Sequence, residues 1–147
     1  MNVAVRFQTA LAAAERALSA VTEQQARQPA RPGGWLRKEE LGHLLDSAQN
    51  NHQRIALAAI NGAYAGPEYT QNAWVDLHGY RTMEWAEILA FWKMRNQLIH
   101  RVIANIPEDR LSAPVRIGDS PAMTLSAWID DYLQHMAHHV AQITTGL

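Results

Sequence analysis

The sequence predicts an all-α protein, a four-helix bundle formed by one domain spanning residues 1–147. Four long segments carry apolar residues at steps of three and four, as amphipathic helices do. Stretches with proline and glycine separate these segments, and they are long after the second and third helices. The chain length is typical of one domain, so we expect four helices around one core.

The first predicted helix covers residues 3–26. Its apolar side chains recur along one face, and the alanines between them favour a helix. These apolar residues are Val3, Phe7, Leu11, Ala14, Leu18 and Val21. Two prolines and two glycines in residues 28–34 cannot continue a helix, so they end it.

The second predicted helix covers residues 36–61, and Gly62 is placed to cap its C-terminus. Its main stripe comprises Leu41, Leu45, Ala48, His52, Ile55 and Ala59. Residues 62–79 form a long connection. Because connections of this length in a compact domain are often functional, this one is a candidate cover for the mouth of a site.

The third predicted helix covers residues 80–105, and Pro107 stops it. Residues 111–123 contain two prolines and Gly118, which predicts a loop with a short hairpin. Thr124 is a suitable N-cap for the fourth helix, which ends near Gly146. The apolar faces comprise Trp85, Ile88, Trp92, Ile99 and Ile103, then Leu125, Trp128, Ile129, Tyr132, Met136, Val140 and Ile143.

The composition argues against several classes of protein. The formal net charge is -1 and there is no basic run, so the chain lacks the electrostatic footprint of a nucleic-acid binder. It has no cysteine, which excludes disulfides and protein thiolates as ligands or nucleophiles. No apolar run reaches transmembrane length and the first residues do not resemble a signal peptide. We therefore expect a cytoplasmic protein without a membrane or nucleic-acid partner.

Two histidines near the end of the chain have the spacing of a metal chelate. His135 and His139 are four residues apart, so they share one face of the fourth helix, whereas His138 points outwards. Two imidazoles on one helical face can bind one metal ion. A useful site needs a third ligand, and His43 offers one. Three protein ligands leave coordination positions open, as in catalytic metal sites.

The position of His43 on its helix leaves two interpretations open. It lies nearly opposite Leu41, in a polar stripe with Ser47, Asn50 and Arg54. This stripe is either a face exposed to solvent or the lining of a polar cavity. The end of the same helix is apolar all round, which favours cover on more than one side and hence the cavity.

Three charged residues near these histidines also have alternative interpretations. Asp131 lies one turn before His135, and Asp46 lies one turn after His43. Each is either an ordinary exposed acid or a carboxylate that orients an imidazole. Arg54 either forms a surface ion pair or holds a carboxylate or phosphate of a ligand.

The chain resembles the DinB-like family of metal-binding four-helix bundles. The matching segments are residues 33–35, 40–47, 50–54, 72–75, 124–125 and 131–139. In that family one histidine of the second helix and an H-x-x-x-H pair of the last helix form a metal triad. The resemblance places this triad on His43, His135 and His139. It also implies an unusual helix order, a homodimer and no DNA binding.

Family members of known activity include thiol-dependent S-transferases and an isomerase that uses a low-molecular-weight thiol. The resemblance therefore implies a metal-dependent transferase that uses such a thiol, but it assigns no substrate-contacting residues. From the chemistry of their side chains, Asn50 and Arg54 are candidates for binding the carboxylates of the thiol. Three imidazoles suit several divalent metals, of which we expect zinc or nickel. The alternatives are a metal-dependent hydrolase, with Asp46 or His138 as general base, and a non-catalytic ligand-binding or stress protein.

Overall fold

A computed structural model describes residues 2–147, and its four long helices form a four-helix bundle. The helices are α1 (Val3–Ser19), α2 (Glu23–Ala26), α3 (Arg37–Asn61), α4 (Gln71–His78), α5 (Trp85–Ala104) and α6 (Leu125–Thr144). Helices α2 and α4 are short and lie outside the set of four. Within the described part of the chain, no helix combines the length and the apolarity needed to cross a membrane.

The long helices do not pack in the order in which they follow one another. Helix α1 packs against α5 and α6, and α3 packs against the same two helices. The consecutive helices α1 and α3 therefore occupy opposite corners of the bundle, as do α5 and α6. This order brings α3 against α6, the two helices that carry the predicted metal ligands.

A small sheet joins the two long connections. Strand β1 (Tyr64–Gly66) pairs in parallel with β2 (Pro114–Ile117), which pairs antiparallel with β3 (Met123–Thr124). The predicted hairpin in residues 111–123 is confirmed as β2 and β3. Strand β1 was not predicted, because three residues with two small side chains carry no alternating apolar pattern.

The prediction of one continuous helix over residues 3–26 is wrong. Helix α1 ends at Ser19, and Thr22 begins α2 as its N-cap. The Thr22 hydroxyl accepts from the Gln25 N–H, and the Gln25 side chain accepts from the Thr22 N–H. This capping box starts a new helix although Val21 stays buried and continues the apolar stripe.

The predicted third helix also starts too early. Residues 80–82 form a separate 3₁₀ turn, and α5 begins at Trp85. Gly79 ends α4 with a φ of 64°, a conformation that glycine favours. The other predicted boundaries agree closely with the structure: Gly62 caps α3 with a φ of 80°, and the Thr124 hydroxyl accepts from the Ala127 N–H.

Glu23 connects three elements at one end of the bundle. Its carboxylate accepts from the backbone N–H of Trp85 at 2.8 Å and from the Lys38 ammonium at 3.0 Å. Lys38 is buried and donates a further hydrogen bond to the Met83 carbonyl. Burial alone would raise the pKa of Glu23, but these donors lower it to about 2. The carboxylate therefore satisfies both a buried cation and the first turn of α5.

We expect Glu23→Gln to lower the free energy of unfolding at pH 7 by about 1.5–3 kcal/mol, because Lys38 loses its charged partner. The folded-state pKa of about 2 lies below the ordinary value of 4.5. The carboxylate's contribution is therefore complete above pH 4.5 and disappears as the pH falls towards 2.

Urea unfolding of both proteins between neutral and acidic pH measures this difference. Glu87→Gln, an exposed site in the first turn of α5, serves as the control and is expected to change stability by about 0.5 kcal/mol or less. A difference for Glu23→Gln that stays constant as the pH falls would contradict the assignment.

Candidate metal centre

Three histidines from two helices meet inside the bundle. His43 lies near the start of α3, and His135 and His139 lie in the middle of α6. One ring nitrogen of each lies within 4.8 Å of the others. The Nε2 atoms of His43 and His135 are 3.3 Å apart. The structure therefore brings together the three side chains that the sequence and the resemblance selected.

The interpretation of the His43 stripe as a solvent-exposed face is wrong. The exposed fraction of His43 is 1%, and Ser47 and Arg54 are also buried. A helical wheel shows only that these residues lie away from the apolar stripe of α3. Helix α6 and the connection after α3 cover this side, so the polar stripe is an internal surface.

The surroundings keep two of these imidazoles, those of His43 and His135, uncharged. Burial lowers the pKa of His43 to about 3, and repulsion from the other two histidines acts in the same direction. Burial likewise lowers the pKa of His135 to about 4, with a smaller effect of His139. Both rings are therefore neutral near pH 7, and neutral imidazole is the form that binds metal ions.

The arrangement of these rings fits a divalent metal ion. Tetrahedral zinc with Zn–N distances of about 2.0–2.1 Å would hold ligand nitrogens about 3.3–3.4 Å apart. The two facing Nε2 atoms of His43 and His135 have that separation, at 3.3 Å. Among the described residues, Nδ1 of His43 is buried without a hydrogen-bond partner. A shared cation would satisfy the facing lone pairs.

Glu40 is a residue of this site that the sequence analysis missed. Its Oε1 atom lies 3.0 Å from Nδ1 of His139, and its carboxylate is buried. That contact leaves Nε2 of His139 for the histidine cluster. The i, i+3 spacing of Glu40 and His43 was a signal in the sequence, because it places both on one side of α3.

Asp46 is neither an exposed acid nor a partner of His43, so both interpretations of it are wrong. It is 1% exposed, accepts from the Tyr80 hydroxyl at 2.6 Å and lies 2.9 Å from Nδ1 of His78. Gly42 makes this contact possible, because a Cβ atom there would lie 2.0 Å from Cδ2 of Tyr80. Asp46 thus binds the turn before α5 and not the histidine cluster.

Three further side chains, those of His138, Trp35 and Trp128, have different surroundings. His138 is exposed and contacts Gln142, as its outward direction on the helix predicted. Trp35 packs on His43 with 5.1 Å between ring centroids. Trp128 is half-buried and donates to the side chain of Asn51.

A cavity of about 190 Å³ lies beside His135. Its lining includes Arg54 of α3, Tyr69 of the connection after β1, and Trp128 and Asp131 of α6. The connection over residues 62–79 therefore does cover this part of the polar stripe, through Tyr69. Asp131 is exposed at this cavity, so it is the acid with access to the space next to His135.

Arg54 places a buried cation in the wall of this cavity. It is 7% exposed, and Nη2 donates to the Pro67 carbonyl at 3.2 Å. Its guanidinium lies 5.7 Å from the ring centroid of Tyr69 and 5.9 Å from that of Trp128. Within residues 2–147 no carboxylate oxygen lies within 4.0 Å of the guanidinium. The interpretation of Arg54 as part of a surface ion pair is therefore wrong. The side chain of Asn50 donates instead to the Asp46 carbonyl, outside the cavity lining.

The sequence matches the family model of the DinB superfamily over residues 6–143. The chain is 25% identical over 131 residues to YfiT of Bacillus subtilis (strain 168). YfiT is named a metal-dependent hydrolase by inference. That alignment covers 88% of this chain and 74% of YfiT. A Bacillus mycoides (strain KBAB4) protein of the same inferred name is 25% identical over 130 residues, which cover 88% of this chain and 75% of the relative.

Solved structures show the same fold. YfiT, described as having an unusual four-helix bundle topology, matches with a TM-score of 0.82 and 23% identity, over 97% of this chain and 82% of YfiT. The mycothiol-dependent maleylpyruvate isomerase matches with a TM-score of 0.81 and 13% identity. The alignment covers 98% of this chain and 60% of the isomerase, so the chain spans less than two thirds of that protein.

We expect His43→Ala, His135→Ala and His139→Ala each to lose tight zinc binding, because each removes one of three converging ligands. His138→Ala is the matched control and keeps the wild-type content of about one zinc ion per chain. Elemental mass spectrometry after zinc loading and desalting measures the content, with protein purified without a metal-affinity tag. Equal loss in His138→Ala, or full retention in His43→Ala, would contradict the assignment.

Proposed function

The chain belongs to the DinB superfamily, and we propose that it is a divalent-metal-binding enzyme that transfers groups to or from a low-molecular-weight thiol. The observation that carries the proposal is the three-histidine cluster beside a cavity whose wall contains a buried cation. In this proposal His43, His135 and His139 hold zinc or nickel. Three ligands leave room for a further group to approach the metal.

The nucleophile in this reaction comes from outside the protein. The chain contains no cysteine, so a reactive sulfur has to arrive on a cofactor. When bound, the metal would supply a positive charge that lowers the pKa of a thiol in the cavity. The fold shared with a mycothiol-dependent isomerase supports a small thiol as partner.

Arg54 is the residue that we assign to binding the thiol cofactor or its substrate. Its planar guanidinium presents parallel donors that match a carboxylate. The hydrogen bond to Pro67 holds the group in place, and Tyr69 and Trp128 flank it. A carboxylate bound there would lie in the same cavity as His135.

A metal-dependent hydrolase is the second candidate, because one acidic side chain lines the cavity next to His135. Asp131 lines the cavity next to His135 and can take a proton from an attacking water. The general bases first considered do not lie there: Asp46 is bound to Tyr80, and His138 is on the outer surface. The inferred names of the Bacillus relatives are consistent with this candidate.

We also propose that the protein is a cytoplasmic homodimer. An exposed apolar face on α5 supports the dimer: Phe91 is 50%, Met94 67% and Leu98 48% exposed. These residues lie three and four positions apart, so they form one continuous patch on the helix. Burying such a patch against a second copy would remove apolar surface from water.

A thiol and electrophile screen tests the transferase. Zinc-loaded protein is expected to consume glutathione, bacillithiol or mycothiol with a model electrophile such as 1-chloro-2,4-dinitrobenzene. Arg54→Gln is expected to raise the KM for the thiol about tenfold or more at unchanged zinc content, because a charged hydrogen bond is lost. Arg116→Gln, an exposed arginine on β2, is the matched control.

Two results would count against this proposal. Zinc- and nickel-loaded protein that consumes none of the three thiols would exclude the transferase for those thiols. Turnover of ester or amide substrates without thiol, reduced in Asp131→Asn, would favour the hydrolase.

A further inference from the structure

The two adjacent acids at the start of α3 have different partners. Glu39 accepts from the backbone N–H of Leu36 and contacts Arg81, so it caps the helix. Glu40 has no lysine or arginine within 4.0 Å among the residues that the structure describes. Its Oε1 atom lies instead 3.0 Å from Nδ1 of His139. A buried carboxylate is costly without a donor, so this imidazole is its essential partner.

The carboxylate contacts one ring nitrogen of His139 and leaves the other nitrogen free of this contact. Because Nδ1 faces Glu40, Nε2 is the His139 nitrogen available to the cluster with His43 and His135. Glu40 lies one turn before His43 on α3, whereas His139 belongs to α6. Helix α3 therefore supplies one ligand of the cluster and also the partner of a ligand from the facing helix.

A carboxylate in this position determines where the proton of a neutral imidazole lies. Its oxygen can only accept, so the N–H of His139 is held on Nδ1 and the lone pair is held on Nε2. Such a partner also fixes the ring orientation and makes the ligand nitrogen more basic. Nδ1 of His43, by contrast, has no hydrogen-bond partner within residues 2–147.

We infer that Glu40 is a positioning residue for the metal site, which sets the tautomer and orientation of His139. This inference rests on the proposed metal site, and it assigns to Glu40 a role that the sequence analysis considered only for Asp46 and Asp131. Neither of those acids is hydrogen-bonded to a histidine of the cluster; Asp46 contacts His78 instead.

The first test uses metal-free protein and ¹⁵N NMR of the histidine side chains. In the wild type His139 is expected as the Nδ1–H tautomer, which isolated neutral imidazole side chains do not prefer. In Glu40→Ala it is expected to shift towards the Nε2–H tautomer. The signal is assigned by its absence in His139→Ala. An unchanged tautomer in Glu40→Ala would overturn the inference, and this result does not depend on metal binding.

The second test measures zinc affinity by competition with a chromophoric chelator. Glu40→Ala and the isosteric Glu40→Gln are expected to weaken zinc binding about 10–100-fold, as loss of a ligand's hydrogen-bonded partner does. Glu39→Gln changes the adjacent acid, which does not contact the cluster, and is expected to keep wild-type affinity. If Glu40→Ala does not fold, the comparison of zinc affinity is made with Glu40→Gln alone.

The outcomes separate this inference from the proposed function. Wild-type affinity in a folded Glu40→Gln, with zinc bound by the three histidines, would overturn the role of Glu40 and leave the metal site intact. A wild-type protein that binds no zinc or nickel would overturn the metal site, and with it the inference about Glu40 as a positioning residue.

Discussion

The packing of α3 against α6 through polar side chains is the constraint on which the rest of this structure depends. The surface between them contains three imidazoles and a carboxylate, all largely removed from water. Apolar residues on other faces of both helices belong to the hydrophobic core. The bundle therefore keeps an apolar core beside this polar contact between α3 and α6. Buried polar groups need partners, and here a metal ion is the partner that would satisfy the facing nitrogens.

A small cavity adjoins the polar contact between α3 and α6, next to His135. The connection after α3 contacts Arg54 through Pro67 and Tyr69. Gly42 leaves space for the ring of Tyr80, whose hydroxyl donates to Asp46. Arg54 and His135, one of the three histidines, line this cavity together. In the proposed function, α3 contributes to both sites: His43 to the metal site and Arg54 to the ligand site.

The periodicity of apolar residues was sufficient to predict the four long helices. It failed to predict elements whose presence or limits depend on particular hydrogen bonds. The capping box at Thr22 breaks a continuous stripe, and β1 depends on pairing with a strand some fifty residues away. The i, i+4 spacing was sufficient to select His135 and His139 as candidate ligands. The selection of His43 depended on the family resemblance, because a helical wheel does not show whether another helix covers a polar face. Glu40 was missed because its partner lies on another helix.

The most direct test of the metal centre is X-ray absorption spectroscopy at the zinc edge of the zinc-loaded protein. The account predicts three imidazoles, recognised by their multiple scattering, with Zn–N distances of about 2.0–2.1 Å and light atoms completing the shell. Addition of a substrate thiol is expected to introduce a sulfur at about 2.3 Å. Fewer than three imidazoles around zinc would contradict the site proposed from His43, His135 and His139.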